Sequence, residues 1–250
     1  MAITVVVSGA DGRMGREVVK AVEGAPDLQL IGTAEFGEDL NAILSRLNPD
    51  AMVDFTTPES AMPNIRTALK NGVVPIVGTT GISAEDRAEV ASLCKETDTG
   101  ALIAPNFALG AVLLMRFSRE AAANFPDAEV IEMHHERKLD APSGTASATA
   151  EGIAEGRQGA AQTALPAGAF EKIPGSRGGK AAGDVPVHSV RLPGFVASEM
   201  VIFGGLGQTL TLRHDTIDRS SFMPGVLLAL RKVPHLAEKA RLVYGLENLM

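Results

Sequence analysis

The chain has 250 residues and is 45% hydrophobic, enough for one large or two modest domains with a buried core, which excludes a disordered protein. Its formal net charge is −7 and no block of lysine or arginine occurs, so the electrostatic footprint of a nucleic-acid binder is missing and any anion site must be local. A single cysteine, Cys94, excludes a disulfide framework and fits a reducing compartment.

The N-terminus has no basic lead before its apolar run and enters a glycine loop at once, which predicts a strand and not a signal peptide. Ile3 to Val7 is β-branched; Gly9-Ala10-Asp11-Gly12-Arg13-Met14-Gly15-Arg16 and a helical pattern over Glu17 to Glu23 follow. Strand, glycine turn and helix in that order predict a dinucleotide site, with the turn approaching a pyrophosphate and the helix start facing it. The spacing is GxxGxxG and not the commoner GxGxxG, but the strand-to-helix context supports it. A second strand, Leu28 to Ala34, ends at Glu35, where an acidic side chain is expected to meet the adenosine ribose hydroxyls.

Further βα units are predicted: Asp50 to Phe55 with a helix over Ser60 to Asn71, Val73 to Val77 with a helix over Ala84 to Lys95, and Gly100 to Ala104 with a helix over Gly110 to Asn124. Such alternation predicts an α/β fold, a Rossmann-like doubly wound parallel sheet, with its site beyond the carboxyl ends of the strands. Those ends are Ser8-Gly9, Glu35, Asp54 to Thr57, Gly78-Thr79-Thr80 and Ala104-Pro105-Asn106-Phe107. The longest apolar stretch, Ala101 to Met115, is broken by Pro105, Asn106 and Gly110 and is shorter than the ~20 residues of a membrane span. A cytoplasmic protein without membrane or nucleic-acid partners is expected.

After Asn124 the pattern changes. Ala128 to His134 predicts a strand that delivers Glu132-Met133-His134-His135-Glu136-Arg137-Lys138-Leu139-Asp140-Ala141-Pro142-Ser143-Gly144-Thr145-Ala146. Lys138 lies four residues after His134 and three after His135, so a turn there would gather three protonatable groups on one pocket wall. Pro142 and Ser143 open a helix over Ala146 to Glu155, whose start around Gly144 and Thr145 should attract anions. Lysine, helix start and paired histidines describe a receptor for a carboxylate-bearing small molecule with a proton donor in place. A solvated polar loop is the bland alternative. Adjacent histidines also suit zinc, but without a His-x3-His pair or a CxxC no metal is expected.

Gly156 to Gly183 is rich in glycine, proline and alanine and predicts a long mobile loop. Val185 to Leu192, Glu199 to Phe203 and Gln208 to His214 alternate as strands, the last two joined by a glycine hairpin, so a C-terminal α+β mixed-sheet domain is expected. Ser221 to Arg231 and Pro234 to Gly245 return to helical periodicity and are expected to cross back to the first domain. The expected division is 1–106 with 216–250 for the dinucleotide and 107–215 for substrate binding and oligomerisation.

Taken together, Val-Ser-Gly-Ala-Asp-Gly-Arg-Met-Gly-Arg at 7–16, Asp-Phe-Thr at 54–56, Gly-Thr-Thr-Gly at 78–81, Pro-Asn-Phe at 105–107 and Glu-x-His-His-x-x-Lys-x-Asp-Ala-Pro-Ser-Gly-Thr-Ala at 132–146 resemble the 4-hydroxy-tetrahydrodipicolinate reductase (dihydrodipicolinate reductase) family. The resemblance spans nearly the whole chain, and its last motif is highly specific. It implies an NADH- or NADPH-dependent step of diaminopimelate and lysine synthesis, a cyclic dicarboxylate substrate and a homotetramer built through the second sheet. Carried over, it makes His134 the proton donor, with Lys138 as a further acid, and gives substrate binding to His135, Lys138, Gly144 and Thr145. Cofactor contacts fall to Gly9, Ala10, Asp11, Gly12, Arg13, Met14, Glu35, Phe36, Gly78, Thr79, Thr80, Ala104, Pro105, Asn106 and Phe107. One departure is Phe36, where many relatives carry an arginine suited to the 2′-phosphate of NADPH; Arg13 is the candidate to compensate. NADH is therefore expected to serve at least as well as NADPH. Other two-domain dehydrogenases and a nucleotide-sensing regulator are the alternatives; no Glu-Lys-Pro element of the sugar oxidoreductase kind is present, and a regulator has little use for the histidine, lysine and Ser-Gly-Thr set.

Overall fold

β-Branched side chains lose least freedom in an extended backbone, and Ile3-Thr4-Val5-Val6-Val7 accordingly form β1 (Ile3–Ser8), an inner strand of a six-stranded parallel sheet. The computed structural model describes residues 2–250. Two compact units divide it: one runs to Ala108 and resumes over Arg219–Met250, the other is Leu109–Asp218.

The first unit continues with α1 (Arg13–Glu23), β2 (Leu28–Ala34), α2 (Leu40–Leu47), β3 (Ala51–Asp54), α3 (Pro58–Lys70), β4 (Val74–Val77), α4 (Ala84–Glu96) and β5 (Ala101–Ile103). Every residue of β3, β4 and β5 is buried, as befits strands covered on both faces. Ser83 and Asp86 close a reciprocal capping box at the start of α4. Cys94 is fully buried, and burial pushes its thiol up to about 11, so it packs as a small apolar group.

One element here was not anticipated from the sequence, and one expectation needs correction. Helix α2 carries no long periodic signal because it has only eight residues; Asp39 caps it, Asn48 ends it in the left-handed region at φ 46°, and Leu44 anchors it against Val6, Met52, Ala68 and Val73. In the tail, α7 (Met223–Arg231) and α8 (Val233–Lys239) form as predicted, but the helix does not continue to Gly245. Ala240 turns left-handed at φ 42° and Leu242-Val243-Tyr244 becomes β11, a parallel edge strand on β5. Backbone hydrogen bonds decide it: Ala101 N donates to Arg241 O at 3.1 Å and Gly245 N to Ile103 O at 2.9 Å, so the return satisfies an otherwise open sheet edge. The sheet order is β11-β5-β4-β3-β1-β2, with the reversal at β1 that marks a doubly wound fold.

The second unit comprises α5 (Leu109–Ala122), β6 (Asp127–His134), α6 (Gly144–Gly156), β7 (Gly179–Lys180), β8 (Pro186–Arg191), β9 (Ala197–Gly205) and β10 (Gln208–Thr216). Its sheet, in the order β10-β9-β6-β8-β7, is parallel between β6 and β8 and antiparallel elsewhere. Leu114 from α5 and Ala146, Ala150 and Ile153 from α6 pack on Ala128, Val130, Val201 and Phe203, so both helices cover one face. They lie close: a Cβ on Gly156 would stand 2.1 Å from the carbonyl oxygen of Arg119.

From Arg157 to Gly178 the chain is irregular, as its composition predicts, but Thr163 is tied to Asp127 and Arg157 donates to Gly183 O at 2.6 Å. Edge strand β7 is only Gly-Lys, too short and too weak in strand propensity to be read from the sequence. No helix among the described residues is long and apolar enough to cross a membrane.

Candidate active site

In the second unit the site grows from one register. β6 and β8 run parallel with Glu132 beside Ser189 and His134 beside Arg191, so the motif glutamate, the first histidine and an arginine from a strand 57 residues on share one face. Glu132 is fully buried. Its Oε2 is 2.5 Å from Nδ1 of His134 and accepts from Nη1 of Arg191 at 2.9 Å; its Oε1 accepts from Nη2 of Arg191 at 2.7 Å and from Ser143 N at 3.2 Å. Burial pushes this carboxyl up, but hydrogen bonds from His134, Arg191 and Ser189 outweigh it and hold the pKa at about 2. An ionised carboxylate can only accept, so Nδ1 of His134 carries a hydrogen and Nε2 is the nitrogen left to exchange protons.

After His135 the chain turns tightly: Lys138 N donates to His135 O at 3.1 Å, and the Lys138 ammonium pairs with Asp140 Oδ1 at 2.7 Å. That ion pair draws the Asp140 carboxyl below its usual range. Lys138 thus shares the turn with both histidines, but its charge is partnered within the loop, which the spacing did not disclose. Arg191 also donates to Asp140 O at 2.7 Å, so one guanidinium fastens both the glutamate and the loop.

Ser143 caps α6, accepting from Ala146 N at 3.2 Å, while Pro142 precedes the cap and does not enter the first turn as expected. Gly144 is exposed, and a Cβ there would meet nothing within 4 Å, so the helix start is open to a ligand. Thr145 is half-buried behind it.

In the first unit, the turn after β1 needs glycine in two places. Gly9 has φ +75°, and a Cβ on Gly15 would stand 2.0 Å from Gly9 O. Gly12 starts α1 without a side-chain cap, leaving the start of the helix to a ligand. Asp11 N donates to Glu35 Oε1 at 3.0 Å, so the end of β2 is drawn against the loop, and a hollow of about 330 Å³ opens there between Ala10, Asp11, Arg16, Lys20, Thr33 and Glu35. Arg13, the first residue of α1, is exposed, and Phe36 is 100% exposed beside Glu35. A bare helix start, a glycine turn with no room for side chains and a carboxylate at the second strand fit a dinucleotide.

Other sequence-predicted contacts play different parts. Asp54 is buried and accepts from Thr56, from Thr79 Oγ1 at 2.8 Å and from Asn64 Nδ2 at 2.7 Å, so the Thr79 hydroxyl is committed to bracing β3 against β4. A Cβ on Gly78 would strike the Phe55 ring at 2.0 Å, and Phe107 is buried with its ring 5.6 Å from that of Phe55. Ala104 is buried, Pro105 exposed, and Asn106 Oδ1 accepts from Ala108 N at 2.8 Å. Thr80 is exposed and Met14 half-buried. The residues sequence reasoning missed are Arg191, Asn64 and the role of Glu132. Only the glutamate left a signal, its place two residues before His134, because alternation puts it on the same strand face.

Comparison with known proteins converges on one family. Residues 3–107 match the family model described as Dihydrodipicolinate reductase, N-terminus, and residues 110–250 the one described as Dihydrodipicolinate reductase, C-terminus. A 4-hydroxy-tetrahydrodipicolinate reductase of Desulfitobacterium hafniense (strain DSM 10664 / DCB-2) is 48% identical over 269 residues, covering 99% of this chain and 98% of its own. One from Corynebacterium efficiens is 47% identical over 251 residues, covering 100% and 99%. Among solved structures, a dipicolinate-bound dihydrodipicolinate reductase from Paenisporosarcina sp. TG-14 is 39% identical, with a TM-score of 0.88 and 100% of both chains covered. Both halves of the chain match that family over nearly their whole length, and the chain belongs to the dihydrodipicolinate reductase family.

Proposed function

We propose that this chain reduces 4-hydroxy-tetrahydrodipicolinate to tetrahydrodipicolinate in the diaminopimelate route to lysine, with His134 supplying the proton. The observation that carries the role of His134 is the buried Glu132 carboxylate 2.5 Å from its Nδ1, which fixes the tautomer and leaves Nε2 as the exchanging atom. His135, Lys138 and the start of α6 at Gly144 and Thr145 hold the substrate carboxylates, the ammonium by charge and the helix start by its N–H groups. Lys138, 22% exposed in its side chain, also stands as a further acid.

A nicotinamide dinucleotide, when bound, supplies the hydride. The loop from Gly9 to Met14 would receive its pyrophosphate and Glu35 its ribose, with Gly78 to Thr80 and Ala104 to Phe107 continuing that surface as the carboxyl ends of β4 and β5. NADH serves at least as well as NADPH: beside Glu35 stands the exposed ring of Phe36, which offers no charge to a 2′-phosphate, and the Glu35 carboxylate opposes one. Comparing kcat/KM for the two cofactors tests this, and a large NADPH advantage refutes it.

For the acid, His134→Gln and Lys138→Ala are each expected to lose most turnover while NADH binding is kept; near wild-type turnover in either variant removes that residue from the chemistry. The chain is cytoplasmic and assembles as a homotetramer through the sheet face turned away from α5 and α6, where Ile131, Val190, Met200 and Ile202 stand half-buried. Sedimentation velocity checks the assembly, and a monomer refutes it.

A further inference from the structure

We propose that Glu199 acts as a neutral carboxylic acid and as a positioning residue, holding Thr149 and through it the first turn of α6 in the arrangement that receives a substrate carboxylate. The proposal rests on the assignment of Gly144 and Thr145 as the carboxylate site.

Glu199 lies on β9 directly opposite Glu132 on β6 and directly opposite His214 on β10. Residues opposed in this way point to one face of a sheet, here the face covered by α5 and α6, so the three form a row with Glu199 in the middle, 5% exposed. The two buried carboxyls are provided for differently. Glu132 takes both terminal nitrogens of Arg191, the His134 ring and Ser143 N; no lysine or arginine pairs with Glu199 among the described residues. An uncompensated carboxylate at such a place costs several kcal/mol, roughly what protonation avoids.

Thr149 supplies the decisive contact. Its Oγ1 is 2.5 Å from Glu199 Oε1 and 3.0 Å from Thr145 O, one turn earlier in α6. A hydroxyl has one proton and a carbonyl oxygen can only accept. Both hydrogen bonds exist together only when Thr149 donates to Thr145 and Glu199 donates to Thr149, that is, when Glu199 carries its proton. Burial, together with the nearby charge of Glu132, pushes its carboxyl up to about 7.

Loss of that proton has two effects. Thr149 must turn its hydrogen to the new carboxylate and release Thr145 O, and a negative charge appears beneath a helix start that works by attracting carboxylates. The titratable groups on the packed elements are few: Glu132 from β6, already ionised, and His214 from β10, whose pKa burial lowers and whose ring lies against Gly110 of α5. From α6 comes the Thr149 hydroxyl, and the charged residues of α5, Arg116, Arg119 and Glu120, are ion-paired at the surface.

The test uses the full chain with NADH bound and pyridine-2,6-dicarboxylate as the probe, with dissociation constants, kcat, KM and Tm measured for Glu199→Gln, Glu199→Ala, Thr149→Val and Gly144→Ala. Glutamine keeps the shape and can donate to Thr149, so Glu199→Gln is expected to match wild type at about pH 6 and to bind the probe more tightly than wild type at about pH 8.5, where only the wild type gains a charge. Glu199→Ala and Thr149→Val are expected to weaken the probe and raise KM roughly fivefold to tenfold, with kcat little changed. A lower Tm with unchanged affinity in those two, parallel pH profiles for wild type and Glu199→Gln, or tenfold weaker binding in Glu199→Gln at about pH 6 would each overturn the proposal. Gly144→Ala, whose methyl occupies the mouth of the helix start, separates the two levels: if it binds the probe as wild type does, the carboxylate site itself is misassigned, whereas weak binding there with normal binding in Glu199→Ala rejects Glu199 alone.

Discussion

The Glu132 carboxylate takes part in four hydrogen bonds with three residues from separate stretches of chain, and the buried end of the proton donor is one of those three. Replacing Glu132 by glutamine leaves the shape but removes the charge that the Arg191 guanidinium faces. Breaking one partner of a buried pair typically costs about 3–5 kcal/mol, and the amide can donate to Nδ1 and reverse the tautomer. Glu132→Gln is therefore expected to lower kcat by roughly 10²–10⁴, the usual worth of a placed acid. Steady-state kinetics and denaturant unfolding check both effects; a variant with normal kcat would show that the tautomer of His134 is immaterial. The His-His-x-x-Lys spacing was legible at this scale. Its partner Arg191 was not, because nothing local in the sequence says which residue of another strand will stand beside His134.

Two glycines at helix starts look alike in sequence and differ in structure. At Gly15 the added methyl would stand 2.0 Å from the backbone oxygen of Gly9, so Gly15→Ala is expected to push α1 away from the turn, weaken NADH at least tenfold in a fluorescence titration and lower Tm. At Gly144 the methyl would meet nothing within 4 Å, and alanine at a helical position gains about 0.5–1 kcal/mol over glycine. Gly144→Ala is expected to keep or raise Tm and still weaken pyridine-2,6-dicarboxylate, since the methyl occupies the mouth of the carboxylate site. If Gly144→Ala binds the probe normally, ligand does not approach that turn. Strand and helix identities were readable for most of the chain because apolar periodicity is local. α2, β7 and β11 were not, being short elements whose stability comes from the sheet edges and core residues they cover.

Across the whole molecule the two buried glutamates bind protons in opposite senses. Glu132, held at about 2, is below its ordinary value; its contribution is present above about pH 4.5 and is lost as pH falls towards 2. Glu199, raised to about 7, favours the folded state most below about pH 4.5 and loses that contribution as pH rises through 7. Tm of wild type is therefore expected to fall relative to Glu199→Gln between about pH 5.5 and 8.5, with the difference vanishing at the acid end. Calorimetry of the pair checks it, and a constant difference would mean that Glu199 does not titrate in that range. The amino-acid sequence by itself determined the α/β alternation, the glycine turn with its acidic partner, the mixed second sheet and the motif that marks the family, all features carried by residues close together in the chain. The tertiary structure decided the partners of Glu132 and Glu199, the pairing of Lys138 with Asp140, and the return of the tail as β11. Those depend on strand register and burial, which only a closed set of long-range backbone hydrogen bonds can specify.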